Sequence, residues 1–296
     1  MGGINVSDEF LDLSGIHGAS SKSEVLSEKD FPILEGLSPL SMRILNNASQ
    51  LMHVSKDVEM LHEGDTPHDL YFIKQGTMAI GRQSGSQLKV IAKLKSGEIY
   101  GEFGALRKKS RYASVYTAEP SVIIRVELSA IQQVLEADKV FHDRLETLMT
   151  HRMLDSFFSS HPVFHGLSEK DREELARTLP VHPYDRNEKI FTQGKAPQGV
   201  YLILSGEVEV RYTNRAGEER LVEIRRDNDL LGEVANKSGT ELAYSAVSAS
   251  HVDILTLDKK AMKMMHDQHP ETFKTLENYI NKRAERSVVR LRENMG

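Results

Sequence analysis

The sequence predicts a two-domain chain of the α+β class, mainly β, in which each domain is a small antiparallel barrel with helices before and after it. Three observations predict this. Between Val58 and Val126 short apolar segments alternate with glycine-bearing turns about every eight to twelve residues, the pattern of a sandwich or barrel. On either side of that stretch the apolar spacing is helical. The whole pattern then starts again about 130 residues later, a period too long for a solenoid, so it marks two copies of one domain.

Residues 1 to about 24 are rich in Gly and Ser and are read as a flexible leader. Phe31, Leu34, Leu37, Leu40, Ile44 and Leu45 recur at helical intervals broken by Pro32 and Pro39, which predicts two or three short helices. Val58–Leu61 and Leu70–Ile73 are strand candidates, each ended by a turn carrying Gly64 or Gly76. Met78–Ile80 and Leu88–Ile91 flank Ser84-Gly85-Ser86 and read as a hairpin. Two further strands, Ala113–Ala118 and Val122–Val126, are split by Glu119-Pro120. From Ile131 to about Phe158 the spacing is helical and amphipathic, and so it is again from Glu271 to Arg292, a packing or dimer helix.

The restart is specific. Pro32, Gly36, Leu37 and Ser38 return as Pro162, Gly166, Leu167 and Ser168, and Gly64, Tyr71, Ile73 and Gly76 return as Gly194, Tyr201, Ile203 and Gly206. The offset is 131 at Gly101-Glu102, matched by Gly232-Glu233, and reads as 132 at Val115, matched by Val247. Ser168 with Asp171 has the form of a capping box and places a helix start there. The domains are therefore set at 25–158 and 159–296.

Composition closes off several classes. With 39% hydrophobic residues in 296 the chain is able to bury an ample core. The absence of cysteine removes disulfide frameworks, thiolate nucleophiles and cysteine zinc sites, and a reducing cytoplasmic setting is expected. A net charge of -5 gives no overall basic field for nucleic acid, and no apolar run approaches the length of a membrane span. His53, His62 and His68 are scattered without a His-x-His pair, so no metal site is expected. No nucleophile, base and orienting group fall together, so the chain is expected to be no enzyme, with no catalytic residue and no cofactor.

The candidate site is Gly101-Glu102-Phe103-Gly104-Ala105-Leu106, followed by Arg111-Tyr112-Ala113-Ser114-Val115. Glycines let backbone approach a ligand closely, and a helical turn starting near Glu102 aims free N–H groups at an anion. Arg111 supplies a charge-assisted fork for phosphate oxygens. Glu102 repels phosphate, so its task lies elsewhere, such as accepting from a ribose hydroxyl.

These residues resemble the cyclic nucleotide-binding domain family over both repeats, about 31–158 and 161–293. The resemblance extends to the regulatory subunits of cyclic AMP-dependent kinase and to the sensor domain of catabolite-activator-type regulators. It implies jelly-roll barrels and a phosphate-binding cassette. The first repeat has its Gly-Glu, small residue, apolar pair and Arg-x-Ala-Ser-Val, with Arg111 ten residues after Gly101. By resemblance, Glu102 accepts from the ribose 2′-hydroxyl, N–H groups from Gly104 to Leu106 and around Ala113 face the cyclic phosphate, and Arg111 neutralises it. Tyr112 departs from the family's small residue and leaves the base open among cyclic AMP, cyclic GMP and a cyclic dinucleotide, with cyclic AMP the favoured ligand.

In the second repeat Gly232-Glu233-Val234-Ala235 is kept, but the arginine position falls on Leu242 or Ala243. A buried phosphate without its cation loses roughly 3 to 5 kcal/mol, so this pocket is expected to be empty or to hold another ligand. Lys237 is a poorer substitute. Arg107, Lys108 and Lys109 are read as a solvated loop tip, and Leu148, Met149 and Leu154 as candidates to cap the base.

The function expected is a non-catalytic sensor that binds one cyclic nucleotide in the first domain and relays it through the tail helices to the second. The alternative is a kinase-regulatory or other protein-interaction scaffold, or a receptor for cyclic GMP or a cyclic dinucleotide. A protein partner and a homodimer accompany these readings. No DNA-binding module is expected, because the 38 residues after Asp258 are too few for a helix-turn-helix domain of about seventy.

Overall fold

The structure is a computed structural model, and it describes residues 16–19, 26–65, 69–84, 87–107, 113–238 and 241–293. The chain divides into two compact units, Met1–Met149 and Thr150–Gly296. Each is built from two antiparallel sheets and flanking helices.

In the first unit, Ile16–Ala19 (β1) lies inside the span read as a leader and pairs with Ser49–Val54 (β2). The pairing satisfies N–H and C=O groups that β2 would otherwise present at a sheet edge. The rest of the predicted leader lies outside the described residues. A 3₁₀ turn at Pro32–Leu34 and the helix Pro39–Asn47 (α1) form the expected prelude. Ser38 caps α1 by accepting from the Ser41 N–H at 3.1 Å, with Pro39 at the first helical position.

The strands are Glu59–Leu61 (β3), Asp69–Gln75 (β4), Thr77–Ser84 (β5), Gln87–Lys95 (β6) and Ile99–Tyr100 (β7). The short helix Glu102–Arg107 (α2) follows, then Ser114–Thr117 (β8) and Ser121–Glu127 (β9). The predicted hairpin forms, with Ser84 opposite Gln87. One sheet runs β1-β2-β9-β4-β7 and the other β3-β8-β5-β6. They remain two separate sheets, so each jelly roll is a sandwich and not a closed ring.

β4 explains why Leu70-Tyr71-Phe72-Ile73 is uniformly apolar. Alternate side chains point to opposite faces of a strand, and here both faces are covered. Leu70 and Phe72 join the cluster with Phe31, Leu45, Phe141 and Leu145 on the helical side. Tyr71 and Ile73 join the cluster with Met78, Leu94 and Val115 between the sheets.

The tail predicted as one helical run is two helices, Leu128–Ala137 (α3) and Lys139–Ser160 (α4). The break falls at Asp138, which is extended (φ -129°, ψ 96°). Its carboxylate accepts from the Ser38 N–H at 3.0 Å, the Ser41 hydroxyl at 2.9 Å and the Phe141 N–H at 3.4 Å. The Ser38 N–H leads these bonds in holding the Asp138 carboxyl below its ordinary pKa.

In the second unit Glu169–Thr178 (α5) starts where the capping box places it, with the Ser168 oxygen accepting from the Asp171 N–H at 3.2 Å. The strands are Val181–Tyr184 (β10), Lys189–Phe191 (β11), Gly199–Ser205 (β12), Val208–Thr213 (β13), Glu219–Arg225 (β14) and Leu230–Leu231 (β15). Glu233–Ser238 (α6), Ser245–Ser248 (β16), Val252–Asp258 (β17), Lys259–Gln268 (α7) and Pro270–Glu293 (α8) complete it. The sheets run β10-β17-β12-β15 and β11-β16-β13-β14. Apart from β1, this is the strand order of the first unit, so the repeat seen in the sequence is a repeat of topology.

The two copies also fix the offset. In the first, the Ser114 oxygen accepts from the Glu63 N–H and the Thr117 oxygen from the Val58 N–H. In the second, Ser245 and Ser248 accept from Gln193 and Glu188 in the same way. The offset is thus 131 across this strand, and Val115 matches Ala246. The expected match to Val247 was drawn one residue too far by the Val identity in an apolar run. Arg111 therefore corresponds to Leu242, and Ala113 to Tyr244.

Candidate ligand cassette and its second copy

In the first unit β7 pairs with β4, placing Tyr100 opposite Tyr71, and the two rings stack at 4.8 Å with planes 4° apart. The chain then turns at Gly101, whose φ of +97° favours glycine, and enters α2. Glu102 is the first residue of that helix and is buried, at 5% exposure. Gly104 and Ala105 are also buried, while Phe103 and Leu106 are half-buried. Ala113 and Ser114 are buried at the entry to β8. Arg111 and Tyr112 lie outside the described residues, as do Lys108, Lys109 and His68.

Arg107 corrects the reading of a solvated loop tip. Its side chain is 7% exposed and forms a two-pronged bond with Glu146 of α4, Nη1 to Oε1 at 2.7 Å and Nη2 to Oε2 at 3.1 Å. A planar fork on a carboxylate fixes both partners in orientation, so the end of the cassette helix is tied to the tail helix. Leu148 packs against the helical-side core of the same unit, and Met149 and Leu154 are fully buried. Of the remaining histidines read for metal, His62 Nδ1 lies 2.9 Å from Glu59, and His53 is exposed on β2.

The second copy keeps the same turn. β15 leads to Gly232 at φ +77° and to Glu233 at the start of α6, with no measurable exposure of Glu233. Around that carboxylate is a polar cluster which the sequence reading did not foresee. Arg225, at the end of β14, reaches it with Nη1 to Oε2 at 3.0 Å and Nη2 to Oε1 at 3.0 Å. The Tyr244 hydroxyl donates to Glu233 Oε2 at 2.7 Å and accepts from the Gly232 N–H at 2.9 Å. Arg225 also donates to Tyr244 at 3.1 Å, to Glu223 at 2.8 Å and to the Ser287 hydroxyl of α8 at 2.8 Å.

Burial alone would depress the Arg225 guanidinium, but Tyr244 and Glu233 outweigh it and raise its pKa. Burial likewise favours a neutral Glu233, and the Arg225 charge reverses that to hold it ionised below its ordinary range. Burial, followed by the Glu233 charge, pushes the Tyr244 phenol up, so it remains a donor.

Strand register shows what the first unit has at these places. Arg225 lies opposite Val208 as Leu94 lies opposite Met78, and Glu223 lies opposite Val210 as Ala92 lies opposite Ile80. Leu94, Ala92 and Ala113 thus stand where the second unit has Arg225, Glu223 and Tyr244. Alignment of the two repeats could have found all three, because each changes an apolar residue into a polar one. Leu242, in the place of Arg111, is buried in the core. It lines a surface groove with Gln193, Gly194, Glu241 and Ala243, where the only charged side chain among the described residues is a carboxylate.

The cyclic nucleotide-binding domain family matches residues 51–138 and 181–269, one match in each unit. The chain belongs to the cyclic nucleotide-binding domain family. Among curated family members, a cAMP-dependent protein kinase regulatory subunit of Pyricularia oryzae is 22% identical over 222 residues, covering 71% of this chain and 54% of that protein. The cGMP-dependent protein kinase egl-4 of Caenorhabditis elegans is 24% identical over 241 residues, covering 80% and 29%. The chain spans about half the length of the first curated relatives it matches. Among solved structures, the regulatory domain of Toxoplasma gondii PKA, co-crystallised with cAMP, aligns with a TM-score of 0.39 at 17% identity, covering 84% of this chain and 92% of that one.

Proposed function

We propose that the chain is a non-catalytic cyclic nucleotide sensor that binds one nucleotide, cyclic AMP by preference, in its first domain, residues 25–158. The observation that carries this reading is Glu102: a buried carboxylate at the mouth of a glycine turn, at the start of the cassette helix. In the second copy the same carboxylate is engaged by Arg225 and Tyr244, whereas the first copy has Leu94 and Ala113 at those positions. Glu102 accepts from the ribose 2′-hydroxyl, Arg111 neutralises the cyclic phosphate, and backbone of Gly101, Gly104, Ala105, Leu106, Ala113 and Ser114 lines the cradle. Phe103 packs beside it, and Tyr112 contacts the base.

Signal leaves the cassette by way of Arg107 and Glu146, which tie α2 to α4. Ligand biases the tail only through different affinities for two arrangements of it, and the receiver is the second domain, 159–296. Titration calorimetry of the full chain with cyclic AMP, cyclic GMP and cyclic dinucleotides tests the reading. Binding of one cyclic AMP per chain is expected, and Arg111→Ala should cost about 2 kcal/mol or more, roughly thirtyfold in affinity. No heat with any of them would overturn it.

A kinase-regulatory scaffold is the second reading, favoured by the relatives that bear that name. Capture of a kinase catalytic subunit by the purified chain, released by cyclic AMP, would establish it over a self-contained sensor.

A further inference from the structure

We infer that the second cassette carries an internal ligand: Arg225 and Tyr244 fill the hydrogen-bonding places that a nucleotide takes in the first cassette, and in doing so fasten α8 over the site without any small molecule. The inference rests on reading Glu102 as the nucleotide's acceptor.

The geometry is that of an occupied site. Both oxygens of Glu233 are within 3.0 Å of the Arg225 guanidinium, and one also accepts from Tyr244. The phenol oxygen sits between the Glu233 carboxylate and the Gly232 N–H, so it takes both an acceptor and a donor of the cassette turn. A ligand hydroxyl entering here finds the Gly232 N–H and Glu233 Oε2 in use. Release of Arg225 strands a buried cation and the buried Glu233 carboxylate, which is far costlier than leaving an exposed pair.

The same cluster reaches the tail helix. Arg225 donates to Ser287, and Arg290 of α8 pairs with Glu223, so two arginines balance two glutamates. Leu291 of α8 is buried in the core cluster that holds Tyr244 and Ala235. The helix is therefore seated on the cassette by the protein's own side chains. The absent arginine at Leu242 is then only part of why this site takes no nucleotide, and restoring it alone should not restore binding.

Two measurements on the full chain decide the matter. In the first, cyclic AMP stoichiometry is read by calorimetry for Leu242→Arg alone and for the quadruple variant Leu242→Arg, Tyr244→Ala, Arg225→Leu, Glu223→Ala, which copies the first cassette. The single variant should still bind as the parent does, and the quadruple variant should gain one site. A new site in the single variant, or none in a folded quadruple variant, overturns the inference. A parent chain that binds nothing would sink the first-domain reading, while the gain of one site by the quadruple variant would still uphold this one.

In the second, hydrogen exchange is followed across α8 without nucleotide. Arg225→Leu should speed exchange at Tyr279–Leu291 at least tenfold. Exchange unaffected by the variant would overturn the internal ligand even if the quadruple variant fails to fold.

Discussion

Glu102 and Arg107 stand five residues apart on one short helix, and only the first could be assigned a task from the sequence. A carboxylate beside glycines points to a ligand because the pattern is local. The partner of Arg107 is 39 residues away on another helix, and a basic triplet gives no sign of it. The ion pair is partly buried and two-pronged, so a double-mutant cycle of Arg107→Met with Glu146→Gln should return a coupling of about 1 to 2 kcal/mol in urea denaturation. Strict additivity would show that the pair is ornamental. Gly76 is a second residue-scale test. Its φ is +101°, and an added Cβ would lie 2.2 Å from Ser121 Oγ and 2.9 Å from the Ser121 backbone. Gly76→Ala should therefore destabilise the first unit by about 2 kcal/mol or more, seen as a lower urea midpoint at unchanged slope.

At the scale of elements, helix and strand types were legible because periodicity is written along the chain. The break between α3 and α4 was not, because Asp138 is held by Ser38 and Ser41, about a hundred residues earlier. The exposed charges of α8 likewise concealed where its apolar stripe would go. Leu276, Ile280, Ala284 and Leu291 are buried, Leu291 in the core cluster of its own unit.

The turn after α4 holds a further consequence. His161 has no measurable exposure, stacks on Phe157 at 4.8 Å and accepts from the Val163 N–H on Nδ1. Burial pushes its imidazole down to about 4. Between about pH 6.5 and 4 the unfolded chain binds a proton that the folded one refuses, so stability falls as pH falls through that window. The loss from pH 7.5 to 5 should be about 2 kcal/mol, and His161→Phe should remove it. Equal pH slopes for parent and variant in urea denaturation would refute the assignment.

Across the whole molecule, the 130-residue restart disclosed that there are two copies, and their strand orders agree. What it did not disclose is which side chains the second copy builds around its carboxylate. They are Arg225 and Tyr244, against Leu94 and Ala113 in the first, at positions that converge only after strands pair. The functional asymmetry should be visible in hydrogen exchange of the intact chain. Cyclic AMP at a hundred times its dissociation constant stabilises what it binds by about 2.7 kcal/mol. Protection should rise across 99–107 and 113–117 and remain level across 230–238. Equal protection of both cassettes would mean two live sites.

The balance of two arginines and two glutamates in the second unit also bears on how such a domain changes over generations. Losing Arg225 or Glu233 alone leaves the other charged and buried without its partner, at a cost of about 3 to 5 kcal/mol. Removing Arg225 while Glu233 stays is thus worse than keeping both. The cluster acts as a ratchet on the second domain: its central arginine and glutamate are cheaper to lose together than one at a time.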